Sequence, residues 1–220
     1  MNFPSELLPF ELRLLADVLL VAGCAVALFC APWRALRRNA MEHVLGAALV
    51  SLLLLWSFHA GVSPGLGFHF LGVTVLTLMF GWALALLGTV VIGIGMAVFT
   101  RLDWAALAAT ILLVGVLPVL VSHGIQRLVT QRLPANPFIY IFLCGFFGAI
   151  LSALCAVMAV VATLVALDVY PFERIAREYL PFLPLYLFPE GLMNGMLTAV
   201  FVGTKPEWLR SFDESRYFRS

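Results

Sequence analysis

Charge is what this sequence has least of. Asp, Glu, Lys and Arg make up 11% of its 220 residues, whereas 63% are hydrophobic and the mean hydropathy is +1.04. A soluble domain carries about a quarter charged residues. That balance excludes a cytosolic enzyme, a nucleic-acid-binding domain and a disordered chain. The 13 basic and 12 acidic residues nearly cancel, leaving +1 and no long-range steering field. Cysteine is also sparse: Cys24, Cys30, Cys144 and Cys155 lie in apolar stretches without a CxxC, so they read as small core residues. There is no internal repeat, low-complexity tract, GxSxG, HExxH, Walker loop or pair of intramembrane acids. Hydrolytic chemistry therefore has no nucleophile and base, and ATP-driven transport would need another subunit.

What is abundant is apolar runs. At about 20 residues per spanning helix, the length allows a single polytopic domain. Candidate spans lie at 12–31, 43–60, 69–83, 84–100, 104–124, 137–165 and 182–203. The third and fourth come from 33 uncharged residues between Phe68 and Thr100, with Gly81-Trp82 and Gly88 as places to turn. Basic residues collect in cytoplasmic loops, and this decides the count. Seven spans with the N-terminus outside put nine cations inside (Arg34, Arg37, Arg38, Arg127, Arg132, Lys205, Arg210, Arg216, Arg219) and four outside. Fusing the two doubtful spans would give six inside and seven outside. The expectation is an all-α integral membrane bundle of about seven helices in the inner cell membrane. Residues 1–204 form the transmembrane domain and 205–220 a cytoplasmic polar tail suited to the leaflet surface. Leu20 to Cys24 has the form of a lipobox, but Glu6 and Glu11 precede the only nearby base, Arg13, and the apolar run continues to Ala31. The first span reads as a retained helix.

Only four histidines are present. His43 and His123 flank spans near the cytoplasmic side and read as interfacial. His59 and His69 stand at the two lips of an uncharged connection, Gly61 to Gly67, which shares the external face with Met1. Two neutral imidazoles facing one cavity suit a borderline metal, or else each bonds to loop carbonyls. The free amine of Met1, with an ordinary pKa of about 7.7 to 8.0, is a further nitrogen donor. Amine, backbone amide and imidazole together favour Ni2+, Cu2+ or Co2+. Glu190 is the one acid well inside a span, costly unless paired or functional; Asn194, four residues on, is its nearest structural partner. Small residues at Gly72, Gly81, Gly88, Gly93 and Gly95, and from Gly145 to Ala153, read as close-packing faces.

Met1-Asn2-Phe3-Pro4-Ser5-Glu6-Leu7-Leu8 resembles the Met-His-Ile-Pro-Asp-Gly-Phe-Leu opening of the substrate-binding membrane subunits (CbiM/NikM-like) of nickel and cobalt energy-coupling-factor transporters. His69-Phe70-Leu71-Gly72 and Phe80-Gly81-Trp82-Ala83 are similar to that family's loop signature and Gly-Pro-Trp-like turn. Pro189 to Ala199 resembles its glutamate-containing last helix, and Lys205-Pro206-Glu207-Trp208-Leu209 its tail. The resemblance implies a metal site at Met1, Asn2 and His69, with the ion as cargo and no chemistry performed on it. It also implies a membrane coupling subunit and cytoplasmic ATPases as partners within the lipid bilayer. Asn2 departs from the pattern, which has histidine there; His59 stands where the family tends to have asparagine, so the two positions read as an exchange that returns one imidazole. The competing readings are a membrane accessory protein that has lost the metal, and a haem-binding protein.

Overall fold

The computed structural model describes residues 5–38, 40–58, 60–100 and 103–217. Helix α1 (Phe10–Cys30) leads through the short α2 (Trp33–Arg38) into α3 (Glu42–Ser57). A two-stranded antiparallel hairpin follows, β1 (Ala60–Ser63) and β2 (Leu66–Phe68), with Ala60 opposite Phe68 and Gly61 opposite Gly67. Then come α4 (Val73–Phe80), α5 (Trp82–Thr100), α6 (Trp104–Arg132), α7 (Pro137–Ala166), α8 (Phe172–Glu178), α9 (Leu183–Thr204) and α10 (Glu214–Tyr217). Helices α6 and α7 each hold a wider π-helical stretch, at Leu112–Val116 and Tyr140–Phe146.

Five helical segments are long and apolar enough to cross a bilayer: Phe10–Cys30, Trp82–Phe99, Trp104–Arg132, Pro137–Ala166 and Phe172–Thr204. Glu42–Ser57 is a shorter apolar helix. The expected third span, 69–83, is the main departure. Its own helix is only the eight residues Val73–Phe80, about 12 Å at 1.5 Å per residue; residues 69–72 approach it as irregular chain, and Trp82 and Ala83 already belong to α5. Gly72, at φ +62°, and Gly81, at φ +81°, bracket the helix. Gly81, one of the two expected turning points, makes the break; Gly88 instead lies inside α5, where its missing Cβ admits Leu49 and Leu76.

All eight residues of α4 are buried, and α5, α6, α7 and α9 surround it. Close approach depends on small residues, as expected: Gly93 admits Ile111, Gly95 admits Leu53 and Gly145 admits Thr198. Ser122 on α6 bonds both Thr74 on α4 and Ser152 on α7, at 2.7 and 2.8 Å, so the hydroxyls between these helices satisfy one another. Helix α1 lies outermost, packed on α5 and the start of α6. The cysteines are not all core residues: Cys144 is buried, Cys24 half-buried, and Cys30 and Cys155 exposed, because their helix faces turn away from the bundle.

The two ends of the bundle hold different parts of the chain. Ser5–Leu7 touches Trp104–Ala106 at one end, where the hairpin meets Leu164 and Tyr179. Lys205 to Tyr217 lies at the other. That segment was expected on the leaflet surface, but Leu209, Phe212 and Tyr217 are buried. The amides of Arg210 and Ser211 donate to the carbonyls of Met79 and Leu78, at 3.1 and 3.2 Å. They satisfy the end of α4, whose last carbonyls have no intrahelical partner.

Candidate metal site

His69 follows β2 and faces the floor of a cavity of about 650 Å3, whose walls include Ser57, Ala60, Phe68, Phe182 and Tyr186. Its side chain is buried, with the Trp56 ring 4.9 Å away at a tilt of 47°. His69 Nδ1 lies 3.3 Å from the carbonyl oxygen of Phe70. Donation to that oxygen requires the proton on Nδ1, which leaves the imidazole lone pair on Nε2, the arrangement that orients a metal-ligating histidine.

Irregular backbone at membrane depth is tolerated only where protein satisfies it, and here the partners are specific. Glu190 Oε2 accepts from the Leu71 amide and Oε1 from the Gly72 amide, both at 2.9 Å. The Trp56 indole donates to the Leu71 carbonyl at 2.9 Å. Asn194 Oδ1 accepts from the Val75 amide at 3.0 Å, and its Nδ2 donates to Glu190 Oε1 at 2.8 Å. A carboxylate carried by α9 therefore caps the start of α4, where the helix dipole favours negative charge. Glu190 does pair with Asn194, as its spacing predicts, yet its larger role is to hold residues 71 and 72. With both oxygens so engaged it is a positioning group for His69. The hairpin is fixed from the same side: Tyr179 donates to the Gly67 carbonyl at 3.2 Å and stacks on Phe68 at 4.3 Å, while Tyr170 donates to the Pro64 carbonyl at 3.1 Å.

Of the expected ligands, His69 is the one within the described residues; Met1, Asn2 and His59 lie outside them. Phe58 and Ala60, the chain neighbours of His59, both line the cavity with His69. Ser5–Leu7 reaches the start of α6, and one turn further along Leu107 and Thr110 line a small cavity on the other side of His69. The N-terminal segment thus enters at the end of the bundle that holds His69. Among the described residues no three His, Cys, Asp or Glu side chains cluster. His43 is exposed, as expected, and His123 is half-buried beside Trp82.

Trp56, Tyr179 and Tyr170 were not singled out from the sequence. Their polar tips act on backbone groups of a loop far along the chain, and no local pattern marks that. For Glu190 and Asn194 the legible signal was one acid inside an apolar span with an amide four residues on.

The family model of CbiM, the cobalt uptake substrate-specific transmembrane region, matches residues 2–208. The fold is similar to that in the crystal structure of a truncated transition metal transporter, with a TM-score of 0.74 at 15% identity, covering 92% of this chain and 99% of that one. A second crystal structure, of a transition metal transporter, gives 0.73 at 16% identity and covers 94% of each chain. No curated protein sequence matches significantly.

Proposed function

The chain belongs to the CbiM family of cobalt uptake transmembrane proteins, and from that premise we propose that it captures Ni2+ or Co2+ at the external end of its bundle. As a member it is a component of metal transport and not an enzyme. In the proposed arrangement the chain passes the membrane seven times, the hairpin loop and α4 together making the third pass. The N-terminus is outside and the C-terminus is inside, in the inner membrane. Met1 supplies its amine, Asn2 its backbone nitrogen and side-chain carbonyl, and His69 and His59 their imidazoles. A separate coupling subunit and cytoplasmic ATPases supply the energy that releases the ion inward.

The observation that carries this reading is the preparation of His69. Its ring is buried, its Nδ1 is engaged by Phe70, and the backbone behind it is held by Trp56 and Glu190. Nitrogen donors suit Ni2+ and Co2+ better than hard cations. Asn2 favours one competing reading, an accessory protein that kept the fold and lost the ion.

Isothermal titration of the purified full chain with Co2+ and Ni2+ separates these. His69→Ala and His59→Ala should each abolish binding, because one of about four donors carries a large share of the affinity. His43→Ala should leave it unchanged, and Asn2→His should partly restore binding to His59→Ala. Extending the chain before Met1 converts the amine to an amide and should also abolish binding. Normal binding by His69→Ala overturns the reading; a folded wild-type chain that binds neither ion supports the accessory protein.

A further inference from the structure

A second cavity, of about 270 Å3, lies at the opposite end of the bundle, lined by Thr77, Trp82, His123, Gln126, Arg210 and Ser211, with Cys30 at its edge. Its lining is rich in donors. The Arg210 guanidinium is exposed, and neither it nor the half-buried Gln126 carboxamide and Trp82 indole has a hydrogen-bond partner among the described residues. Arg210 lies across Gly81, with Nη1 3.5 Å from where a Cβ would stand. It also has no ion pair among the described residues; Glu207, which lines a neighbouring cavity with it, pairs with Lys205 at 3.5 Å. Arg127 follows His123 by one turn of α6 and adds a second cation nearby.

We propose that this cavity binds a phosphate oxyanion, and that its occupant is the headgroup of an anionic phospholipid. The donors answer the first half. Arg offers a planar fork matched to phosphate oxygens, and an amide, an indole N–H and an imidazole can complete the shell. A lining arginine with no acid paired to it, and a second arginine nearby, make it a poor cation site. The position answers the second half. Cys30 is the last residue of α1 and Trp82 the first of α5, so the cavity sits at helix ends, where headgroups lie. Basic pockets between transmembrane helices bind anionic headgroups. Leading away from Cys30, Val26 and Phe29 on α1 are exposed, Phe29 by 91%, giving an apolar surface for the acyl chains. Headgroup binding would hold Arg210 in place, and the amide of Arg210 caps Met79 at the end of α4.

Thermal unfolding of the full chain in neutral detergent tests this with three probes: dioctanoyl phosphatidylglycerol, dioctanoyl phosphatidylcholine and inorganic phosphate. Phosphatidylglycerol at about a hundred times its Kd should raise Tm by roughly 5 °C, and phosphatidylcholine by much less. Arg210→Ala should remove most of that shift and Gln126→Ala about half. Arg177→Ala, an exposed cation at the other end, should keep it. If Arg210→Ala does not fold, Arg210→Lys keeps the charge without the fork and should show a reduced shift. No response to inorganic phosphate identifies the lipid; an equal response supports the oxyanion site but assigns it to a soluble phosphate. The proposal is overturned if wild type shows no shift with any probe, if Arg210→Ala or Arg210→Lys together with Gln126→Ala retains the full shift, or if Arg177→Ala loses it equally. None of these outcomes depends on metal binding.

Discussion

Replacing Glu190 by glutamine keeps the shape of the side chain and removes its ability to accept on both sides. In the native protein three donors converge on it: the amides of Leu71 and Gly72 at 2.9 Å and Asn194 Nδ2 at 2.8 Å. Glutamine offers one carbonyl oxygen and one NH2 group, so in either orientation a buried N–H faces another N–H. One unsatisfied buried donor costs about 1 to 3 kcal/mol. Loss of the charge at the start of α4 adds about 0.3 to 1 kcal/mol. The expected destabilisation is about 1 to 4 kcal/mol, concentrated on residues 71 and 72 beside His69. If between a third and two thirds of it must be restored on metal binding, affinity falls roughly two- to eightyfold, at 1.4 kcal/mol per factor of ten. Thermal unfolding and Co2+ titration of the same preparation read both quantities. Trp56→Phe and Asn194→Ala act on the same loop and should lower both, each by less than Glu190→Gln. The reasoning is refuted if Glu190→Gln abolishes binding without loss of stability while Trp56→Phe and Asn194→Ala bind normally. Glu190 would then be a ligand and not a cap.

Gly72→Ala should be strongly destabilising. Its φ of +62° costs an L side chain about 1 to 3 kcal/mol, and the new Cβ would clash with Leu52 Cδ2, adding about 1 to 3 kcal/mol of overpacking; an unchanged Tm would contradict the described turn. For topology, reporters fused after Ser220 and inserted between Ala35 and Ala40 should both be active in the cytoplasm. A C-terminal reporter active outside would invert the proposed orientation and with it the external metal face.

Most spans were legible because a bilayer offers the backbone no water. A crossing that faces lipid must be a run of apolar helix about 20 residues long, and that demand is written locally: the expected 137–165 and 182–203 became Pro137–Ala166 and Leu183–Thr204. The break at Gly81 was readable for the same local reason. His69 stood out because histidine is rare here and it borders an uncharged connection. The resemblance in the opening motif, the loop and the last helix pointed to the family before any fold was known.

The short α4 and its caps could not be read that way. Composition makes 69–83 look like a span, since Val73 to Phe80 is wholly apolar apart from two threonines. What stops the helix is Glu190, 119 positions away from Leu71, taking amides that a longer helix would have used. What finishes it is the segment at Arg210 and Ser211, which looked like a polar tail but supplies amides to Leu78 and Met79. Sequence periodicity reports which face of an element is apolar and how long it runs. A hydrogen bond between residues a hundred positions apart exists only once packing has brought them together, so the backbone that presents His69 was decided by tertiary structure alone.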